Sequence, residues 1–209
     1  HAILPGPDNR LAYSPDLGID KVVIYKLDAS KGALTPAGDA SVAPGSGPRH
    51  MKFGRDGGYA YVLNELLLTV SAFKRDGASG QLEPIQTLST VADDTNRDGL
   101  SCSEIRVHPN GKFIYAATRD WSKTGKDAIT VYSRANAKGF ERVQIAPAAV
   151  SVPRNFNLDP SGRWLLAGGQ VSKEVAVFKV DPDSGKLSFT GDKGPFEGGP
   201  ICLEFLELD

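Results

Sequence analysis

Two columns of polar residues run through this chain at fixed distances from a repeated turn. The turn reads Pro7-Asp8-Asn9, Arg55-Asp56-Gly57, Pro109-Asn110-Gly111 and Pro160-Ser161-Gly162. Eight residues before its third residue stand His1, Arg49, Ser103 and Arg154; eight residues after it stand Leu17, Glu65, Arg119 and Gln170. A repeat gives each column one equivalent backbone position per unit. No single packing demand selects His, Arg, Glu and Gln in turn at one such position, so the columns read as a functional site. Arginine grips planar oxyanions through two parallel hydrogen bonds and keeps its charge at any physiological pH. Arg49 and Arg119 therefore suit the binding of an anion. An imidazole titrates near neutrality, which makes His1 a candidate general acid or base. Glu65, between two arginines in the register, suits orientation of a water or of that imidazole.

A wider set of polar residues surrounds these four. Glu104, Arg106 and His108 alternate along one strand, which puts Glu104 on the same face as His50. His50, Glu104, Arg154 and Gln170 are read as substrate contacts, with a structural role as the other reading of Arg154 and Gln170, and His108, beside the turn, as structural. The set Arg49, Glu65 and Arg119 also reads as ion pairs without chemistry, and the residues alone leave that alternative open.

The elements that position these side chains are short strands. A first strand leads into each turn, as in Met51-Lys52-Phe53, Ile105-Arg106-Val107 and Phe156-Asn157-Leu158. A second follows it, as in Tyr59 to Leu63, Phe113 to Ala117 and Trp164 to Ala167. A third is Val22 to Tyr25, Val70 to Phe73, Ile129 to Tyr132 and Val175 to Phe178. Ten residues after the start of each third strand comes a glycine, at 32, 80, 139 and 185, which opens a fourth, outer strand. β-Branched and aromatic runs separated by turn residues every 8–12 positions indicate an all-β chain. No stretch carries a capped apolar stripe of helical period. The spacings of 48, 54 and 51 residues between successive turns, with four strands in each, predict β-propeller blades.

The repeats divide the chain, read as one domain, into 1–48, 49–102, 103–153 and 154–200. Gly199 to Phe205 repeats the first-strand pattern, so 201–209 is expected to form a closing strand. Four blades and one strand, with an abrupt start at a strand, suggest the C-terminal part of a larger ring.

Composition excludes several functions. The net charge of -1, from 24 basic and 25 acidic residues, argues against a nucleic-acid or anionic-membrane surface. No apolar run approaches the roughly 18 residues of a membrane span. Two cysteines, Cys102 and Cys202, are too few for a disulfide scaffold. They lie two units apart, so the reading is two free thiols, which lean toward a reducing compartment such as the cytoplasm. A leader would not be visible in a chain that begins at His1. One further motif, Asp94-Thr95-Asn96-Arg97-Asp98-Gly99, matches the first half of a calcium loop, with Asp94, Asn96 and Asp98 as ligands. Glu104 falls one position short of the expected bidentate glutamate, so a polar surface turn is the competing reading.

The motifs Gly47-Pro48-Arg49-His50, Asn64-Glu65-Leu66, Glu104-Ile105-Arg106-Val107-His108-Pro109, Pro153-Arg154-Asn155-Phe156 and Asp159-Pro160-Ser161-Gly162 resemble the lactonase family of seven-bladed β-propellers. They come in order, at blade spacing, over nearly the whole chain, and match the last four blades of such a protein. The family includes propeller-type 6-phosphogluconolactonases and the 3-carboxymuconate cyclases. The resemblance implies an enzyme that hydrolyses a sugar lactone or reversibly lactonises a carboxymuconate-type diacid. The partner implied is a small lactone or dicarboxylate, with no cofactor required. In the lactonising members the site is a His, two Arg and a Glu on consecutive blades, and these fall on His1, Arg49, Arg119 and Glu65. Two departures stand out: Leu66-Leu67-Leu68 replaces a polar turn, and Trp121 to Asp127 lengthens the loop after Arg119. A non-catalytic propeller that binds an anion or a protein through the same mouth is the alternative, since fold alone does not decide function.

Overall fold

The computed structural model describes residues 1–136 and 139–206, and every regular element among them is a strand. Sixteen strands form four antiparallel four-stranded sheets. The first holds β1 (Leu4–Pro5), β2 (Leu11–Asp16), β3 (Lys21–Asp28) and β4 (Ala33–Ser41). The second holds β5 (Pro48–Phe53), β6 (Tyr59–Asn64), β7 (Thr69–Arg75) and β8 (Leu82–Ser89). The third holds β9 (Leu100–Val107), β10 (Phe113–Asp120), β11 (Ala128–Asn136) and β12 (Gly139–Pro147). The fourth holds β13 (Pro153–Leu158), β14 (Trp164–Gly169), β15 (Glu174–Val180) and β16 (Leu187–Pro195). Strands in each sheet lie in sequence order, the meander of a propeller blade.

Each blade buries its faces against its neighbours, so the apolar core is divided among three clusters. Tyr13, Val22 and Ile24 pack against Met51, Val62 and Phe73 between the first two blades. Leu63, Val70 and Ala72 meet Cys102, Ile105 and Tyr132 between the second and third. Tyr115, Ile129 and Val131 meet Phe156, Leu165 and Phe178 between the third and fourth. Tyrosines of the second strands fasten these interfaces with their hydroxyls. Tyr13 donates to the Gly80 carbonyl at 2.7 Å and Tyr115 to that of Gly185 at 2.9 Å. His108 has a matching role: its ring lies 2.9 Å from the Gly162 carbonyl of the next blade, edge-on to Phe113.

The first strands share an irregularity that the pattern of strands does not reveal. In β5 the pairing slips between Pro48 and His50, in β9 Ser103 and Glu104 together face Ala117, and in β13 the pairing slips between Pro153 and Asn155. Each slip is a β-bulge at the polar column of Arg49, Ser103 and Arg154. A bulge re-aims side chains and turns two successive residues toward one side.

The expected closing strand is not a strand. Residues 201–206 carry no ladder, and 207–209 lie outside the described residues. The pattern match was sound in one respect, because Leu203 and Glu204 lie beside β13 where a further first strand would run. Asn155 Oδ1 accepts from the Leu203 N–H at 2.8 Å, and Asn157 Nδ2 donates to the Leu203 carbonyl at 3.0 Å. A first strand, however, finds its ladder partner in the second strand of its own blade, and no second strand follows among the described residues. Side chains hold the segment instead.

Candidate active site

Arg49 stands in the bulge of β5, Glu65 just beyond the end of β6, and Arg119 near the end of β10. Backbone hydrogen bonds tie these ends together: the Glu65 N–H reaches the Gly47 carbonyl at 2.8 Å, and the Cys102 N–H reaches the Glu65 carbonyl at 3.0 Å. The three side chains converge. Arg119 Nη2 donates to Glu65 Oε1 at 2.5 Å and to the Cys102 carbonyl at 2.8 Å. Arg49 Nε lies 3.0 Å from Glu65 Oε2, but its N–H does not point along that contact, so the pair is an ion pair without a hydrogen bond. His1 Nε2 stands 3.9 Å from the same oxygen, with its side chain half exposed. Arg49 and Arg119 are buried, at 5% and 3% exposure. Burial pushes the Arg49 guanidinium below its ordinary value, and Arg119 and Arg154 push the same way while Glu65 and Glu104 oppose.

Each arginine is anchored through one terminal nitrogen and keeps the other. Arg49 Nη1 serves the Ser103 carbonyl and His50, and Nη2 has no protein partner among the described residues. Arg119 Nη2 serves Glu65 and Cys102, and Nη1 has none. Arg119 also lies over the ring of Trp121, 5.6 Å from its centroid, and Trp121 is 48% exposed at the rim. The long loop after Arg119 is well pinned. Asp120 accepts from the backbone of Ser122, Thr124 and Lys126, and Asp127 from the backbone of Asp120 and Val152.

A second polar network adjoins the first. His50 Nδ1 lies 3.0 Å from Glu104 Oε1, and Asn155 Nδ2 donates to Glu104 Oε2 at 2.6 Å. Arg106 reaches Glu104 at 3.5 Å, Asn157 at 3.1 Å and Glu204 at 3.2 Å. Burial opposes the charge on Glu104, but His50, Arg106 and the Ile105 N–H outweigh it and hold the carboxyl below its usual range. His50 and Glu104 are thus engaged with each other. Arg154 makes no hydrogen bond or ion pair among the described residues and adds positive charge near Arg49. Gln170 makes no side-chain hydrogen bond to this cluster: it packs against Gly199, and its Oε1 is buried without a hydrogen-bond partner. Asn155 and Asn157 escaped the sequence reading. Their signal was present as columns one and three residues after Arg49: His50, Glu104 and Asn155, then Lys52, Arg106 and Asn157.

The segment Asp94 to Asp98 has a different character. Asn96 Oδ1 accepts from the Asp98 N–H at 3.0 Å, and Lys126 Nζ donates to the Asn96 carbonyl at 3.1 Å. The Asn96 side-chain oxygen, the atom that the calcium reading names as a ligand, is thus engaged by the backbone of its own turn. Among the described residues no three His, Cys, Asp or Glu side chains are grouped to hold a metal. Asp94 and Asn96 instead border a cavity of about 460 Å³, with Val91, Lys126, Asp127 and Ile145 on its other walls, away from the arginines.

Fold and cluster together define a class: β-propeller blades whose first- and second-strand ends carry a cross-blade Arg–Glu–Arg set. The family model described as lactonase, 7-bladed beta-propeller, matches residues 1–205, and the chain belongs to that family. The chain is 34% identical over 203 residues to the 6-phosphogluconolactonase of Bacillus subtilis, covering 96% of this chain and 55% of that protein. It is 34% identical over 208 residues to the 6-phosphogluconolactonase of Serratia proteamaculans, covering 99% of this chain and 60% of that one. Among solved structures, the periplasmic gluconolactonase of Pseudomonas aeruginosa superposes with a TM-score of 0.91 at 28% identity, covering 100% of this chain and 57% of that one. The chain therefore spans between half and two thirds of the length of these relatives.

Proposed function

We propose that this protein hydrolyses an anionic sugar lactone of the 6-phosphogluconolactone type. One observation carries the reading: a single carboxylate is clamped between two buried arginines, each with a terminal nitrogen left for a ligand. Arg49, Arg119 and Arg154 against Glu65 leave the cluster with an excess of positive charge, which suits a substrate bearing phosphate or carboxylate. In the reaction, water adds to the lactone carbonyl, and the free arms of Arg49 and Arg119 stabilise the oxyanion that develops. The Glu65 carboxylate orients the water and takes its proton. His1 relays a proton to the ring oxygen as the carbon–oxygen bond breaks, which yields the open hydroxy acid. The curated relatives favour hydrolysis over lactonisation of a carboxymuconate-type diacid.

The test is a hydrolysis assay of the intact protein on 6-phosphogluconolactone against its spontaneous opening, beside gluconolactone without the phosphate. Turnover that depends on the phosphate is expected. Equal decay with and without protein would remove the enzyme reading and favour an anion-binding propeller.

A further inference from the structure

Arg49 is held from behind by a histidine, and chemistry alone sets the direction of that contact. Arg49 Nη1 lies 2.8 Å from His50 Nε2. A guanidinium only donates, so Nε2 must offer its lone pair, and the neutral ring then carries its proton on Nδ1. The contact on the other side demands the same tautomer: Nδ1 faces Glu104 Oε1 at 3.0 Å, and an ionised carboxylate only accepts. Glu104, at 2% exposure, is itself fixed by the Ile105 N–H at 2.9 Å and by Asn155 Nδ2 at 2.6 Å. The second hydrogen of Arg49 Nη1 goes to the Ser103 carbonyl. The bulge of β5 makes the arrangement attainable, because it turns the adjacent residues Arg49 and His50 to one side.

We propose that His50 is a positioning residue for Arg49, with Glu104 and Asn155 as its backing, and that its protonation switches the site off at low pH. The proposal rests on the lactonase reading above. A proton added at Nε2 places an N–H against the guanidinium, where the contact needs an acceptor. Arg49 then loses one of its two Nη1 partners and its free arm loses its aim. Two charged groups touch this imidazole, Arg49 from β5 and Glu104 from β9. Further out, Arg106 of β9 stands against Glu104, Arg154 of β13 adds its charge near Arg49, and Lys52 of β5 lies near Glu104, Arg106 and Glu204.

The experiment pairs a nitrogen-15 NMR titration of the histidine rings in the intact protein with the pH profile of kcat/KM on 6-phosphogluconolactone. The chain has 3 histidines, so His50 is identified by the signal missing from His50→Gln. At neutral pH the expected form has its proton on Nδ1, and the acid limb of the profile coincides with the His50 titration. In His50→Gln an amide oxygen accepts from Arg49 but cannot titrate. That variant flattens the limb and lowers kcat by about tenfold through imperfect aim. In Glu104→Gln the anion that favours the imidazolium is gone, so the limb moves to lower pH. A proton on Nε2 at neutral pH, or an unchanged limb in His50→Gln, overturns the proposal. No turnover by the unaltered protein, together with the Nδ1 form, would defeat the lactonase reading and the positioning role while leaving the His50–Arg49 contact intact.

Discussion

Arg119 and Glu65 meet at 2.5 Å although they stand 54 residues apart, and 54 residues is also the step from the second turn to the third. They belong to one column of the repeat on adjacent blades. Arg49 with the Ser103 carbonyl and His50 with Glu104 are separated by the same 54 residues. Between the second and third blades, polar residues of one column thus complete one another across the blade boundary.

Replacing Arg119 with alanine should lower turnover by about 10²–10³, the usual cost of about 2.7–4 kcal/mol for a lost oxyanion donor. It should also destabilise the fold by about 1–3 kcal/mol, because the buried Cys102 carbonyl loses its side-chain donor. Arg119→Lys is expected to recover part of the stability but little of the rate, since an ammonium lacks the planar fork. Lactone kinetics and urea midpoints on the same samples separate the two effects. Near-normal kcat/KM in Arg119→Ala would leave the ion pair a structural role only.

Glu65→Gln should split binding from rate. Without the carboxylate, two buried guanidinia face each other and the site gains one unit of positive charge. An anionic competitor such as inorganic phosphate should bind more tightly, while kcat falls because the water loses its base. A parallel loss of both would argue against a role for Glu65 in the chemical step.

Two glycines of the same column test the blade interfaces. Gly32 and Gly185 both have left-handed backbones, at φ of 60° and 69°. A Cβ at Gly32 meets nothing within 4 Å, whereas one at Gly185 would lie 2.4 Å from the Phe113 ring. Gly32→Ala should cost about 1–2 kcal/mol from backbone strain alone. Gly185→Ala should cost a further 1–3 kcal/mol, roughly, from overpacking. Equal losses in urea unfolding would show that the fourth blade packs more loosely than the contact implies.

Stability should depend on Glu104 in a defined direction. Its folded carboxyl is held below the ordinary value of 4.5, so the folded state favours the ionised form. The contribution is fully present above the ordinary carboxylate range and disappears as pH falls through the lower folded value. The stability difference between the unaltered protein and Glu104→Gln should therefore shrink on acidification. A difference that stays constant with pH in urea titrations would contradict this.

The two thiols should react in sequence. Cys102 is fully buried, and burial pushes its thiol up to about 11, while Cys202 is exposed. One thiol should label in the native protein and the second only on unfolding.

The alternation of apolar residues, the turns and their spacing were enough to read four blades of four strands, because each blade is built from local hairpins whose grammar lies within about fifty residues. The same register marked the two columns that hold His1, Arg49, Glu65 and Arg119 before any contact was known, and the family resemblance then picked these four out of them. Three matters were settled only in three dimensions. The bulges at Arg49, Ser103 and Arg154 come from backbone pairing, and each lies near the start of a short strand, where too few residues precede it for a shift in the alternation to be read. The fate of 201–206 depended on whether a ladder partner lay beside it, which no first-strand motif can state. The engagement of His50 with Arg49 and Glu104, and of Asn155 behind them, arose from side chains of three blades closing on one another. Sequence lists such residues in separate repeats, and only the packing of one blade on the next brings them within hydrogen-bonding reach.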